Sequence, residues 1–332
     1  MNSKYPFDFV ITWVDDTDPA WREKKAKYTG CVYAEGNTED RYRDWDTLKY
    51  WFRGVEKYAP WVRYIWFVTD DQKPQWLNTD HPKLKWVKHT DYIPTQYLPT
   101  FHSNVIEWNL FRIHELAEQF VYFNDDMFLI DHVIPEDFFV KGLPCDLPRV
   151  DYLYPEGFFS YTMFNNTNLL NRHFSLKDSI KANWKKWMLY QTPKTMLKNL
   201  FFGRKALIPG FEHDHVHISL LKSTYREIWE KEYAALHETC TRKQRTKMDV
   251  SCWCIRDWQL LSGTFYPKKP CGKLFHTAML EHSNEAIQYL KKQKGKVICL
   301  NDSENEKNFL LHKQMIVEAF EELLPEKSSF EI

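Results

Sequence analysis

An α/β fold built on a parallel, Rossmann-like sheet is what this chain predicts, and three observations carry it. Short, fully apolar runs rich in β-branched and aromatic residues recur through the N-terminal half. Amphipathic helical stretches separate them. Acidic residues follow the carboxyl ends of the runs, the edge where parallel sheets bind ligands.

The first run, Phe7 to Val14 (FDFVITWV), predicts a buried strand and ends at the acidic turn Asp15-Asp16-Thr17-Asp18-Pro19. Asp46 to Tyr58 places Leu48, Trp51, Phe52 and Val55 at helical spacing, with Pro60 beyond the end. Tyr64 to Thr69 is a second strand, closed by Asp70-Asp71, and Leu84 to Val87 a short third. Ser103 is placed to cap a helix whose Ile106, Leu110, Ile113 and Ala117 share a face, running to about Gln119. Phe120 to Phe123 is then a strand ending in Asn124-Asp125-Asp126. Beyond residue 140 the pattern turns helical. Ile180, Trp184, Trp187 and Met188 form a stripe, and Thr192-Pro193 opens a helix that Gly203 ends. Further helices are expected at about 217–234, 250–261, 281–292 and 306–324, with a late strand at 296–300.

Composition narrows the function. The 332 residues carry 45 basic and 45 acidic side chains, which argues against a general nucleic-acid binder. No run of about 18 apolar residues exists to span a membrane. Met1 leads into Tyr5, Pro6 and Asp8 without a signal-peptide layout, so a cytoplasmic chain is expected. Aromatic residues reach 17% while glycines number only 10, and no Gly-rich phosphate loop is present. Any nucleotide must be held by other means. The seven cysteines show no zinc-like pairing beyond one Cys-x-Cys at 252–254, and they read as reduced structural thiols.

Several residues are candidates for chemistry. Asp125 and Asp126, after a strand, are hard oxygen ligands suited to Mg²⁺ or Mn²⁺ on a diphosphate. Glu107 is either an exposed helical acid or a carboxylate at the nucleotide edge. His213, His215 and His217 crowd too closely for one regular metal site, so a single histidine acting in phosphoryl transfer beside Arg245 is the more economical account. Residues 179–211 hold seven basic side chains and no acid among aromatic helices. Such a segment suits an anionic membrane interface or a polyanionic glycan, or packs on the core with its lysines solvated.

Four ordered stretches resemble the stealth proteins, bacterial polysaccharide phosphotransferases related to the catalytic part of the lysosomal-enzyme N-acetylglucosamine-1-phosphotransferase. They are FVITWVDDTDPAW (9–21), the discontinuous stretch from RYRDWDTLKYWF through LPTFHSNVIEWN to FVYFNDDMF (41–128), a third holding His215 and RTKMDV (245–250), and ICLND (298–302) with the tail FEELLPEKSSFE. His102 stands where the family commonly has Asn or Ser, Asp16 where it has Gly, and His217 where Pro is frequent.

The resemblance implies a glycosyltransferase-A-like nucleotide sheet with a helical elaboration. It also implies transfer of a sugar-1-phosphate from a UDP-sugar to an acceptor glycan, with release of UMP. Glu107, Asp126, His215 and Arg245 take the catalytic roles, Asp125 and Asp126 the metal, with the base open between His215 and Glu107. Substrate contacts are expected from Trp13, Asp15, Asp18, Arg43, Asn104 and Asn124, with Lys49 and Arg53 as phosphate or structural partners. The implied division is a nucleotide-sugar part over 1–140, a mostly helical part over 141–295 and a returning strand and helix over 296–332. The acceptor would be a glycan, lipid-linked where residues 179–211 meet the inner face of a membrane. An ordinary glycosyltransferase releasing UDP and a non-catalytic carbohydrate-binding protein are the alternatives.

Overall fold

A computed structural model describes residues 6–30, 37, 42–276, 280–302 and 309–332. The first half runs β1 (Phe7–Thr12), α1 (Pro19–Thr29), α2 (Leu48–Tyr58), β2 (Ile65–Thr69), β3 (Leu84–Lys88), α3 (His89–Tyr92), α4 (Ser103–Asn109), β4 (Gln119–Phe123) and β5 (Met127–Leu129). Then come β6 (Phe139–Val140), β7 (Leu143–Asp146), α5 (Gly157–Asn171), α6 (Leu176–Ala182), α7 (Trp184–Met188), α8 (Pro193–Phe202), β8 (Ile218–Leu221), α9 (Lys222–Lys231) and α10 (Tyr233–Thr241). The chain closes with α11 (Trp253–Ser262), β9 (Tyr266–Pro267), β10 (Gly272–His276), α12 (Leu280–Lys291), β11 (Val297–Asn301) and α13 (Phe309–Leu323).

The main sheet has the order β3-β2-β1-β4-β8. Its first four strands are mutually parallel and β8 is antiparallel to β4. β1 sits centrally, with Ile11 beside Phe67 on one side and Phe123 on the other. Alternation divides the core in two, as the period of a strand requires. Val10, Trp66, Val68, Phe120 and Tyr122 face the helical part, where Trp108, Tyr225 and Trp258 are buried. Phe9, Ile11, Phe67, Val121 and Phe123 face α2 and α13, against Trp51, Phe52, Ile316 and Phe320. Both faces being covered explains why these strands read as unbroken apolar runs.

A second sheet, β10-β11-β5, positions the site. β5 leaves the main sheet directly after Asp126 and pairs antiparallel with β11, setting Cys299 opposite Met127. The amide of Leu300 donates to the Asp126 carbonyl at 2.8 Å. Gly54 permits α2 to lie close beneath β5, because a Cβ there would fall 2.7 Å from the Leu129 carbonyl oxygen.

Four sequence expectations need correction. The helix begun at Ser103 ends at Asn109 rather than near Gln119. Tertiary bonds take the place of helical ones: buried Lys222 donates Nζ to the carbonyls of Ile113 and Leu116, and Ala117 N donates to Asp8. Residues 218–221 form strand β8 rather than the start of a helix, since Ile218, Leu220 and Leu221 find a free edge on β4. The stripe Ile180–Met188 is interrupted at Asn183, so Trp187 is buried while Trp184 is exposed. The cap of α4 is His102, and Ser103 lies inside the helix. The start expected for α13 at Glu306 lies outside the described residues. All six described cysteines are free thiols.

Candidate active site

Parallel topology carries three strand ends to one sheet edge, and a cleft opens there. Trp13 after β1, Asn124, Asp125 and Asp126 after β4, and Asn104 and Glu107 on α4 line it, joined by Arg43, His215 and Arg245. Residues from all four resembling stretches therefore share one cavity.

Asp126 and His215 stand at its floor. The His215 Nε2 lies 3.9 Å from Asp126 Oδ2 and 3.5 Å from Asn301 Nδ2. His215 holds this place with a φ of +44°, a left-handed conformation that a residue with a Cβ adopts only when its surroundings impose it. Ligand atoms of Asp126, His215 and Cys299 all lie within 4.8 Å of one another. Burial raises the Asp126 carboxyl, with His215 acting against the shift. Asp125 is pushed up to about 7, first by the protein mass around it and then by the charges of Asp126 and Asp44. Asp44 is itself raised to about 6 by burial, against the hydrogen bond from the Asp46 amide.

These residues fit a divalent cation. Asp126 Oδ1 is buried and takes no hydrogen bond, and crowded carboxylates of this kind are what such an ion neutralises. Burial and the neighbouring Asp126 charge hold the Cys299 thiol well above its ordinary pKa. The thiol donates to Asp126. The donors gathered here are carboxylate oxygens, one imidazole and this sulfur.

Glu107 is buried on the cleft side of α4. Tyr122 Oη donates to its Oε1 at 3.2 Å, and Tyr122 is in turn 3.0 Å from Thr12 Oγ1. Burial raises the Glu107 pKa, while bonds from Cys252 and Tyr122 and the charges of Arg245 and His215 moderate the rise. Raising the pKa of a carboxylate makes it the stronger base.

Arg245 sits on a loop that Asp249 organises. Asp249, 1% exposed, accepts from Thr246 N (2.5 Å), Thr246 Oγ1 (2.9 Å) and Arg242 Nη1 (3.0 Å). His102 Nε2 lies 2.8 Å from Oδ2, the oxygen that also accepts from the Thr246 amide. Burial lowers the His102 pKa, and the bonds to Asp249 lower that of the carboxyl, so a neutral imidazole donates to an ionised Asp249. The Arg245 guanidinium donates from Nη2 to Ser103 Oγ at 3.0 Å. Asn37 brackets the same residue, accepting from its amide (3.1 Å) and donating to its carbonyl (3.0 Å).

The three neighbouring histidines have separate occupations. His213 Nε2 lies 3.1 Å from both oxygens of Asp257. His217 is packed among Phe123 and Phe138, and burial drops its pKa to about 4. Of the three, His215 lines the cleft.

Four expected substrate residues lie outside the cleft lining. Asp15 accepts from Thr17 N and Oγ1 (2.8 and 2.6 Å), closing the turn on itself. Asp18 caps α1 through Ala20 N and accepts from Gln72 Nε2. Arg53 forms a two-pronged pair with Glu331, both bonds 2.9 Å, and donates to the Leu324 carbonyl. It ties α2 to the C-terminal tail, which is the structural of its two expected roles. The Lys49 ammonium rests 4.9 Å over Tyr50 on the same helix.

Sequence reasoning missed Asp44, Asn301, Ser103 and the His102–Asp249 pair. The stretch ICLND carried a signal for Asn301, and Asp302 in that stretch pairs with Arg43 at 3.1 Å. The stretch RTKMDV contains Asp249, but nothing in it marked the partners, which are the cap of α4 and residues of its own loop.

Two regions defined for the stealth proteins match this chain: conserved region 1 over residues 5–30 and conserved region 2 over residues 41–145. A capsular polysaccharide phosphotransferase of Streptococcus pneumoniae is 42% identical, covering 100% of this chain and 99% of its own length. A receptor polysaccharide phosphotransferase of Streptococcus gordonii is 41% identical over 98% of each chain. An exopolysaccharide phosphotransferase of Lactiplantibacillus plantarum is 33% identical over 98% of this chain and 96% of its own. With identity at this level along the whole length, and with all four resembling stretches meeting in one cleft, the chain belongs to the stealth protein family.

Proposed function

We propose that this chain is a phosphotransferase of polysaccharide synthesis that moves a sugar-1-phosphate from a UDP-sugar to a hydroxyl of an acceptor glycan. The donor would be a UDP-hexose or UDP-N-acetylhexosamine. The observation that carries this is the convergence of Glu107, Asp126, His215 and Arg245, far apart in sequence, on one cleft at the sheet edge. The names of the full-length relatives support the reaction class.

In this reaction the acceptor oxygen forms a bond to the β-phosphorus. The bond from that phosphorus to the bridging oxygen breaks, and UMP leaves with the bridging oxygen. Residues 1–140 would hold the nucleotide sugar through Trp13, Arg43, Asn104 and Asn124, and 141–295 would supply His215 and Arg245. Residues 296–332 would close the floor. Asp125 and Asp126, with His215 beside them, would hold Mg²⁺ or Mn²⁺, which when bound neutralises the diphosphate. Arg245, braced on Ser103, faces the charge that builds on the transferred phosphoryl oxygens. We assign the acceptor proton to Glu107, because burial raises its basicity while His215 is turned toward Asp126 and Asn301.

The test is the nucleotide released when purified protein is given a panel of UDP-sugars and an acceptor glycan. UMP, absent for Asp126→Asn, is expected. UDP would make the chain an ordinary glycosyltransferase, and no release over the panel would favour a carbohydrate-binding protein.

A further inference from the structure

The helical part presents a surface that the cleft chemistry does not use. α8 is amphipathic, and its apolar stripe faces outward. Asn199 and Phe202 are buried beneath it, and Lys198 is neutralised by Asp151 and Glu212. Leu197, Leu200 and Phe201 lie at i, i+3 and i+4, which puts them on one face. That face is open, Leu197 being 64% and Phe201 55% exposed, and Leu207 beyond the helix is 67% exposed. Lys194 bounds the stripe at one end, and Arg204 and Lys205 at the other. Among the described residues, no acid pairs with any of these three cations.

Exposed aromatic residues also stand between the helix and the cleft. The Tyr152 ring lies 4.8 Å from Phe202, and Tyr152 and Tyr154 are both exposed. This segment leads into α5, where Phe158 and Phe159 line the cleft and Phe159 is half exposed at its rim.

We propose that this face docks on the surface of an anionic lipid bilayer, with α8 lying in the headgroup region and the cleft rim at Phe159 opening beside it. An outward stripe of Leu and Phe between cations is the pattern of helices that lie in a membrane interface. Exposed tyrosines suit the same depth. A polyanionic glycan would engage the cations and leave Leu197, Leu200 and Phe201 in water. A second copy meeting across a two-fold axis would set Lys194, Arg204 and Lys205 against their own counterparts. The proposal stands on this surface alone and does not depend on which reaction the cleft performs.

The full chain is to be sedimented with vesicles of phosphatidylcholine, with and without phosphatidylglycerol. Binding to the anionic vesicles, weakened by salt, and little binding to the neutral ones is expected. The triple change Lys194→Glu/Arg204→Glu/Lys205→Glu should lower the partition constant at least about 10²-fold, since each basic residue near such a surface contributes roughly fivefold. Leu197→Ser/Phe201→Ser should lower it about tenfold or more. Circular dichroism and thermal melting check that each variant is folded. Lys194→Gln/Lys205→Gln, a change of solvent-exposed side chains, gives a smaller graded loss if charge reversal unfolds the helix. Absence of wild-type binding at low salt overturns the proposal. So does wild-type binding by the Leu197/Phe201 variant, which would mean that charge alone is read, as by a glycan. A wild-type dimer that this variant dissociates would assign the face to self-association and overturn it equally.

Discussion

Replacing Asp249 by Asn tests whether the loop bearing Arg245 is held for catalysis. The side chain accepts four hydrogen bonds, two on each oxygen. An amide offers only one oxygen. If its nitrogen takes the Oδ1 place it meets Arg242 Nη1, and if it takes the Oδ2 place it meets the Thr246 amide. Neither donor can turn acceptor, so one buried donor loses its partner in either orientation. That costs about 1–3 kcal/mol, and losing the carboxylate charge beside Arg242 adds about 1 kcal/mol more. A total of about 2–4 kcal/mol corresponds to a fall in melting temperature of roughly 3–6 °C, since at about 2.1 cal/mol/K per residue a chain of 332 residues loses about 1.4 °C per kcal/mol. Thr246 adjoins Arg245, so the guanidinium should also lose its register on Ser103. Removing a positioned charge stabiliser outright costs about 10²–10³-fold, and a displaced one should cost at least about tenfold in kcat. Scanning calorimetry and steady-state kinetics well below the melting point measure both. A folded Asp249→Asn protein with wild-type kcat would refute the reasoning, because Arg245 would then be positioned by something else.

Further outcomes follow from the same geometry. His215→Ala and Arg245→Ala should each lose at least about 10²-fold in kcat, while His217→Ala, a core change, should lower the melting temperature and leave kcat within about tenfold. His213→Ala removes one partner of Asp257, which keeps Arg256 Nη1 at 3.0 Å, and should behave like His217→Ala; a larger rate loss there than at His215 would move the essential imidazole. Arg53→Met should cost about 3–5 kcal/mol at neutral pH, because it leaves Glu331 buried without its partner. Burial alone would raise the Glu331 pKa, but Arg53 and the Ser328 amide hold it below its ordinary value. A depressed carboxyl pKa stabilises above the unfolded value of about 4.3 and loses that stability as pH falls through the folded one. The gap between wild type and Arg53→Met should therefore narrow in acid below about pH 4, as urea midpoints across pH would show; a gap constant with pH would count against the pair.

The parts of the fold that sequence reveals are those buried on both sides. FVIT, IWFVT and FVYF read as strands because a parallel sheet covered on both faces needs no polar alternation. α5 escaped notice because its aromatic residues lie on several sides, Phe159, Tyr161 and Phe164 outward and Met163 and Leu170 inward, so no clean stripe forms. Residues 110–118 kept a helical rhythm but were recruited by Lys222 and Asp8, partners remote in sequence.

The site divides in the same way. Asp125 and Asp126 were visible because acids after a buried strand lie at the ligand edge of such a sheet. His215 could be separated from its neighbours only through the family resemblance, and in the structure it is the one of the three that lines the cleft. That Asp15 closes a turn and Asp18 caps a helix was not legible, because turn-forming and helix-capping acids have the same composition as binding ones. Arg53 carried no local sign that its partner was Glu331, 278 residues away.

The central claim is that phosphorus, and not only sugar, moves through this cleft. A UDP-sugar labelled at its β-phosphorus, incubated with the protein, a divalent cation and an acceptor glycan, follows that atom directly. The account predicts label in the glycan as a phosphodiester between two sugars, which mild acid opens at the anomeric C–O bond to leave a labelled phosphomonoester on the acceptor, with unlabelled UMP in solution. Label remaining in UDP, with sugar transferred to the glycan, would contradict it.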